Sequence, residues 1–373
     1  MKKAISFVCI IALLLSSPVM YASSLSVPAK SSIVVNGETG SVIYSDCADT
    51  RLPMASTTKI MTAVLLIENA DLNKKIKITR EMVAVEGSSM GLLPGDTVDF
   101  RTLLYGLMLP SGNDAANTVA IALSGSLKDF SLMMNKKAMS LGMDNTNFVT
   151  PSGLDAKNHF TTARDMAKLS VYAMKIPLFR KVVSKSKITV NFGNPPYRRS
   201  LFGHNKLLKT YKYACGIKTG YTSDAGRCLV SAAECDGKKV IAVTLNDGDT
   251  LSSHKELLSY GLSKLFPVYL ELPDEYRKIP VLFGKNDFAD VYLKPRKVFL
   301  TAEEREALDY TVKMNKSVFG GCKKGTEIGN ITYTVSGVPI CKEKIALKNT
   351  AEPIKTENTR IPRRIINNFI SMI

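Results

Sequence analysis

Residues 31–45, SSIVVNGETGSVIYS, place two short apolar runs either side of a polar, glycine-containing break, which predicts a β-hairpin. The period then changes. Residues 54–70 predict a helix, and Ile60, Met61, Ala63, Val64, Leu65, Leu66 and Ile67 occupy most of its circumference. Such a helix belongs inside a core rather than along a surface. Helical spacing dominates residues 72–185, with segments at 100–109, 114–123, 127–142 and 162–175. Strand-like runs return over 213–247 as ACGIKTGYT, GRCLVSAAE and KKVIAVTLN, and a helix over 252–266 closes the unit. Strands at both ends with helices between them predict an α/β unit: a sheet assembled from distant segments, with a helical subdomain inserted.

After residue 266 the texture becomes short alternating runs, such as VYLKPRKVFL and ITYTVSGVPICKEKIAL, and a small β-rich domain is expected over 267–350. Residues 351–360 predict a polar linker. The last stretch, 361–373, is amphipathic. On a helical wheel Ile361, Ile365, Ile366, Phe369, Ile370, Met372 and Ile373 fall on one side, and Arg363, Arg364, Asn367, Asn368 and Ser371 on the other. It is too short to span a bilayer, and its arginines flank the apolar face, as in a helix lying on a membrane surface.

The other end reads as an export signal over residues 1–22. Lys2 and Lys3 precede the short apolar run Ala4–Leu15, and small residues follow, with cleavage expected near Ala22. The main body, 23–266, is then expected outside the cytoplasm. A formal net charge of +17 is spread along the chain, without an RNP-like aromatic motif or zinc-finger spacing. An anionic membrane surface or wall polymer is therefore a more natural partner than nucleic acid. Of seven cysteines, Cys9 leaves with the signal. Of the remaining six, Cys322 and Cys341 are the pair considered for a disulfide, with free buried thiols the alternative.

Three short motifs carry candidate chemistry. Ser56 and Lys59 stand at i and i+3, so they share one helix face. An unactivated serine needs a base, and a lysine serves as one only when burial or a neighbouring cation holds it neutral. The second motif is Ser111-Gly112-Asn113, in a loop between two helical segments. Ser111 is a candidate proton relay and Asn113 a candidate amide for a substrate carbonyl, while Asp114 is expected to cap the following helix. The third is Lys218-Thr219-Gly220 on a strand, with Lys218 a candidate partner for a carboxylate. Gly220 is expected to leave backbone space for a ligand.

The order S-x-x-K, S-x-N about 55 residues on and K-T-G about 105 later resembles that of penicillin-binding proteins. With SSMGLLPGD (88–96), TPSGLD (150–155) and TTARDMAKLS (161–170), the chain resembles the serine-type D-alanyl-D-alanine carboxypeptidases over roughly residues 27–350. The resemblance implies a penicillin-binding/serine β-lactamase-like transpeptidase fold with a helical subdomain, followed by a β-rich domain. It implies Ser56 as acylated nucleophile, Lys59 as proton acceptor and Ser111 as third catalytic residue. Asn113, Lys218 and Thr219 would hold the peptide, and the backbone N–H groups of Ser56 and Tyr221 would form the oxyanion hole. The implied substrates are peptidoglycan stem peptides and the implied inhibitors β-lactams, with no metal or organic cofactor. Two departures bear on substrate preference: Tyr221 stands where some relatives have histidine, and NDGDTLSSHKELL lacks an arginine that some relatives place there.

Ser89 sits in GSSMG, which matches the nucleophile-elbow pattern. The following LLPGD does not open a helix, so Ser89 is expected in a loop. His159, His204 and His254 have no zinc-peptidase spacing and are expected to be structural. A β-lactamase and a catalytically silent wall-binding protein remain as alternative functions. No deacylating glutamate loop is recognisable, and the full motif set argues against silence.

Overall fold

The computed structural model describes residues 25–354. The predicted export signal and amphipathic tail lie outside the described residues. A five-stranded antiparallel sheet runs β2-β1-β9-β8-β7, with β1 Ala29–Asn36, β2 Val42–Asp46, β7 Ala214–Thr222, β8 Gly226–Cys235 and β9 Lys238–Asp247. It joins the first hairpin to β9, pairing Ala29 with Asp247 and Asn36 with Val240, as the split strand pattern predicted.

Its central strands are apolar on both faces because both are covered. Ile33 and Val35 of β1 and Ile241, Val243 and Leu245 of β9 face the helical subdomain. Val34, Val240 and Ala242, one residue out of step, face Leu257, Leu258 and Leu262 of the helix Thr250–Ser263. The helix Lys59–Asn69 is buried from Lys59 through Leu66, as its all-round apolar pattern predicted. Around it pack the helices Phe100–Met108, Asn113–Ser124, Leu127–Ser140 and Ala163–Met174. Asp99, Ser126 and Thr162 cap three of these helices through side-chain oxygens.

A four-stranded sheet, β3-β4-β5-β6, flanks the helices. The sequence pattern assigned it nothing, although β5 Lys187–Gly193 and β6 Pro196–Phe202 alternate around an Asn-Pro turn. β3 Lys75–Lys77 and β4 Thr97–Asp99 fall in the stretch read as mainly helical.

Beyond the helix Thr250–Ser263 a second core forms around Leu270, Ile279, Ile331, Ile345 and Leu347. Its strands are β10 Phe266–Leu270, β11 Lys278–Leu282, β12 Phe288–Leu293, β13 Arg296–Leu300, β14 Leu308–Met314, β15 Val318–Phe319, β16 Glu327–Val335 and β17 Val338–Leu347. They pair as β10-β13 and β14-β16-β17-β12-β11-β15. Residues 351–354, expected in a linker, belong to this body: Ala351 is buried, and Ile354 N–H donates to Phe283 O at 3.1 Å. Cys322 and Cys341 are both free thiols, as are the other described cysteines. Glu304 joins the two bodies. Its buried carboxylate accepts from Asn36 Nδ2 at 2.9 Å, from Thr39 Oγ1 and from Thr301 N–H at 2.8 Å. Among the described residues no helix is long and apolar enough to cross a membrane.

Candidate active site

Ser56 lies in a short 3-10 turn, Ala55–Thr58, that leads directly into the helix Lys59–Asn69. Ala55 holds φ at +47°, a left-handed conformation that side chains other than glycine rarely adopt. Three contacts keep the turn in place. Thr58 Oγ1 donates to Ala55 O at 2.9 Å. His159 Nδ1 accepts from Val149 N–H at 2.9 Å, which leaves the proton of a neutral imidazole on Nε2, 2.9 Å from Thr58 Oγ1. Gly153, at φ +85°, lies so close that a Cβ would stand 1.9 Å from Ala55 O.

Lys59 is fully buried. Its Nζ has three neighbours: Asn113 Oδ1 at 2.7 Å, Ser152 O at 2.6 Å and Ser56 Oγ at 2.9 Å. A neutral amine has two N–H groups and one lone pair. The amide and carbonyl oxygens can only accept, so they take both N–H groups, and the lone pair is left for the Ser56 hydroxyl proton. Burial, reinforced by the Lys218 charge and opposed by Asp114, holds the Lys59 pKa well below its ordinary value. The lysine of S-x-x-K thus stands 2.9 Å from the Ser56 hydroxyl, in surroundings that favour its neutral form.

Asn113 has a second role that the sequence did not indicate. Its Nδ2 donates to Glu86 O at 2.7 Å, which fixes Oδ1 towards Lys59. The side chain is buried and orients the base; one amide N–H remains for a substrate carbonyl. Asp114 does not cap the helix Asn113–Ser124 as expected. It accepts from Met90, Gly91 and Leu92 N–H at 3.0 Å each and from Ser89 Oγ at 2.6 Å, so it organises the 88–92 loop. Ser89 is therefore a loop residue bonded to a carboxylate.

Ser111, at φ +61°, is buried, and its Oγ has no hydrogen-bond partner among the described residues. Lys218 is 1% exposed. Burial depresses its pKa to about 7, and Nζ donates to Thr219 O at 2.8 Å. Gly220 lines the cleft, as expected of a glycine beside a ligand. A Cβ there would lie 3.1 Å from Ser56 N and 3.2 Å from Met54 O, so the missing side chain also admits the turn that carries Ser56. β7 is the outer strand of its sheet, which lets that turn approach it.

Ser56, Ser111, Thr219 and Tyr221 line one cleft of ≈ 320 Å³, together with Arg227 and Thr250. The last two were not singled out in the sequence, because a strand arginine and a helix-start threonine carry no motif of their own. Among the described residues no group of three or more His, Cys, Asp or Glu side chains is placed to hold a metal. His254 is buried between Ser231 and Thr244, and burial pushes its pKa down to about 3; His159 is likewise depressed, to about 4. Both are structural, as expected.

A family model described as D-alanyl-D-alanine carboxypeptidase, peptidase S11, matches residues 18–249. The chain is 30% identical over 338 residues to the D-alanyl-D-alanine carboxypeptidase DacF of Bacillus subtilis, covering 87% of this chain and 86% of that relative. It is 37% identical over 246 residues to the D-alanyl-D-alanine carboxypeptidase of Streptomyces sp. strain K15, covering 62% of this chain and 84% of the relative. The crystal structure of penicillin binding protein 5 from Haemophilus influenzae superposes with a TM-score of 0.64 at 25% identity, covering 88% of this chain and 98% of that one.

Proposed function

The chain belongs to the D-alanyl-D-alanine carboxypeptidase family, and from that premise we propose that its cleft releases the terminal D-alanine of cell-wall pentapeptides through an acyl-enzyme on Ser56. The observation that carries this is the 2.9 Å approach of Lys59 Nζ to Ser56 Oγ, with both amine N–H groups already engaged. Neutral Lys59 takes the serine proton as Oγ attacks the D-alanyl-D-alanine carbonyl. Ser56 N–H lies at the start of a helical turn, where backbone donors lack intrahelical partners. With Tyr221 N–H it stabilises the oxyanion. The proton that Lys59 has taken passes through the unpartnered Ser111 hydroxyl to the departing amine of D-alanine, and water then hydrolyses the ester and returns a proton to Ser56. Asn113 and Thr219 hold the peptide, and Lys218 contributes positive potential from below the cleft floor. β-Lactams acylate the same serine. Ser56→Ala should abolish both D-alanine release and labelling by a fluorescent penicillin, whereas Ser89→Ala should leave both intact. Labelling of the Ser56 variant would overturn the assignment.

The reading extends to location. The export signal places the enzyme outside the cytoplasm, and the amphipathic segment 361–373 attaches it peripherally to the outer face of the cytoplasmic membrane. This part rests on sequence pattern alone. Each basic residue near an anionic leaflet adds about 1 kcal/mol, so attachment is reversible and salt-sensitive. Deleting 361–373 should move the protein to the soluble fraction and leave hydrolysis of a small soluble peptide unchanged. A truncated protein that still sediments with membranes would exclude the tail as the anchor.

A further inference from the structure

The reaction proposed above acts on a peptide that ends in a carboxylate, and a carboxylate entering a cleft is held best by an accessible cation. The two lysines of the motifs are not accessible. Lys59 is fully buried among three oxygen neighbours, and Lys218 is 1% exposed with Nζ on Thr219 O. The segment after β9, which lacks the arginine of some relatives, offers Asp249 and Thr250. Asp249 would repel an anion, and its carboxylate is spent on Ser252 N–H at the start of the helix Thr250–Ser263.

Arg227 answers the requirement from a different strand. Among the described residues lining the cleft it is the one side chain with a permanent charge. It is exposed, and among the described residues it has no ion pair and no side-chain hydrogen bond. The register of β7 on β8 sets Arg227 directly opposite Tyr221, and Thr219 opposite Leu229. Residues opposite one another share a face of the sheet, and those two positions apart on a strand return to it. Arg227 is therefore the diagonal neighbour of Thr219 on Thr219's own face, within reach of a long side chain.

We propose that Arg227 receives the terminal carboxylate of the substrate, with the Thr219 hydroxyl as second donor, and so makes the enzyme selective for peptides with a free C-terminus. This rests on the carboxypeptidase reading. A guanidinium presents two parallel N–H groups to a carboxylate and stays charged at any working pH. Lys218 is then free to act on Lys59. The carboxylate of a β-lactam would be held in the same way.

The test compares a diacylated peptide ending in D-alanyl-D-alanine with its C-terminal amide, on wild type, Arg227→Gln and Arg227→Lys, with thermal melting to verify folding. Wild type should strongly prefer the acid. Arg227→Gln should lose about 10- to 100-fold in kcat/KM on the acid, the scale of a charge-assisted contact, and little on the amide, so that the preference collapses. Arg227→Lys, which keeps charge but not the fork, should fall between. A folded Arg227→Gln enzyme that retains the acid preference overturns the proposal. A wild-type enzyme that releases no D-alanine from either peptide removes the carboxypeptidase reading itself, and this inference with it.

Discussion

A methyl group on Gly153 would stand 1.9 Å from the carbonyl oxygen of Ala55, the residue that precedes the nucleophile. The TPSGLD segment is therefore a template for the nucleophile turn. It also supplies Ser152 O to Lys59 at 2.6 Å and Pro151 O to Thr62 Oγ1 at 2.6 Å. Gly153→Ala should push the Ala55–Ser56 peptide away from the Lys59 lone pair. A displacement of about 1 Å costs on the order of 100-fold in rate. The left-handed φ of +85° adds destabilisation of more than about 1 kcal/mol. Acylation rates with a fluorescent penicillin, measured on protein shown by melting to be folded, check this; an unchanged rate would mean that the turn is held by something else.

The buried histidines predict the acid limit of the fold. His254 titrates at about 3 and His159 at about 4 in the folded chain, against an ordinary value of 6.5. Between those values the unfolded chain binds protons that the folded chain refuses, so stability should fall as pH drops from about 6.5 towards 3. His254→Asn should flatten that limb in urea melts at pH 4 and pH 7. Wild-type and variant curves of equal slope would show that other groups control acid unfolding.

Lys218 predicts the opposite end. Its folded pKa of about 7 lies below the ordinary 10.5. Over that window the unfolded chain carries the extra proton, so stability should rise with pH from about 7 towards 10.5. Replacing Lys218 by Met should reduce this rise and slow acylation together, since the Lys218 charge also helps depress Lys59. A stability rise of full size in the variant would assign it elsewhere.

The contact of Glu304 with Asn36 and Thr39 predicts how the two bodies stay joined. Glu304→Ala leaves buried donors unsatisfied, at about 1–3 kcal/mol each. Melting should shift down or split into two transitions, and kcat on a small soluble peptide should hold at a temperature where both bodies remain folded. A melt indistinguishable from wild type would show that apolar packing alone fixes the junction.

What could be read from the sequence follows from the range of the interactions involved. Ser56 and Lys59 are three residues apart, so helix geometry alone brought them together. The sheet of β1, β2 and β7–β9 was legible because apolar alternation is local even where pairing is not. The partners that make Lys59 work are remote: Asn113 is 54 positions away and Ser152 is 93. Nothing in a single sequence separates an asparagine that orients a base from one that meets substrate. The second role of Gly220 was hidden for the same reason, since the body packed against its bare side is the turn at 54–56. Arg227 stood outside every motif, and only the β7–β8 register places it beside Thr219. The hairpin of β5 and β6 differs, because its alternation and its Asn-Pro turn are local signals that the sequence itself carries.

The arrangement around Lys59 also determines what can replace it. Its amine must be neutral, must fit among Ser56 Oγ, Asn113 Oδ1 and Ser152 O at 2.6–2.9 Å, and must present a lone pair to the serine. Arginine meets none of these conditions. Its guanidinium stays protonated, so burial cannot make it a base, and its fork is wider than one tetrahedral nitrogen. Lys59→Arg should therefore reduce acylation by orders of magnitude. Because the larger group enters a closed site, Lys59→Met serves as a companion that removes the amine and its lone pair at similar volume. Both variants should lose acylation across the pH range in which wild type gains it as Lys59 deprotonates. If folded Lys59→Met kept a near-normal acylation rate with the wild-type pH profile, the proton acceptor would have to be another group in the cleft.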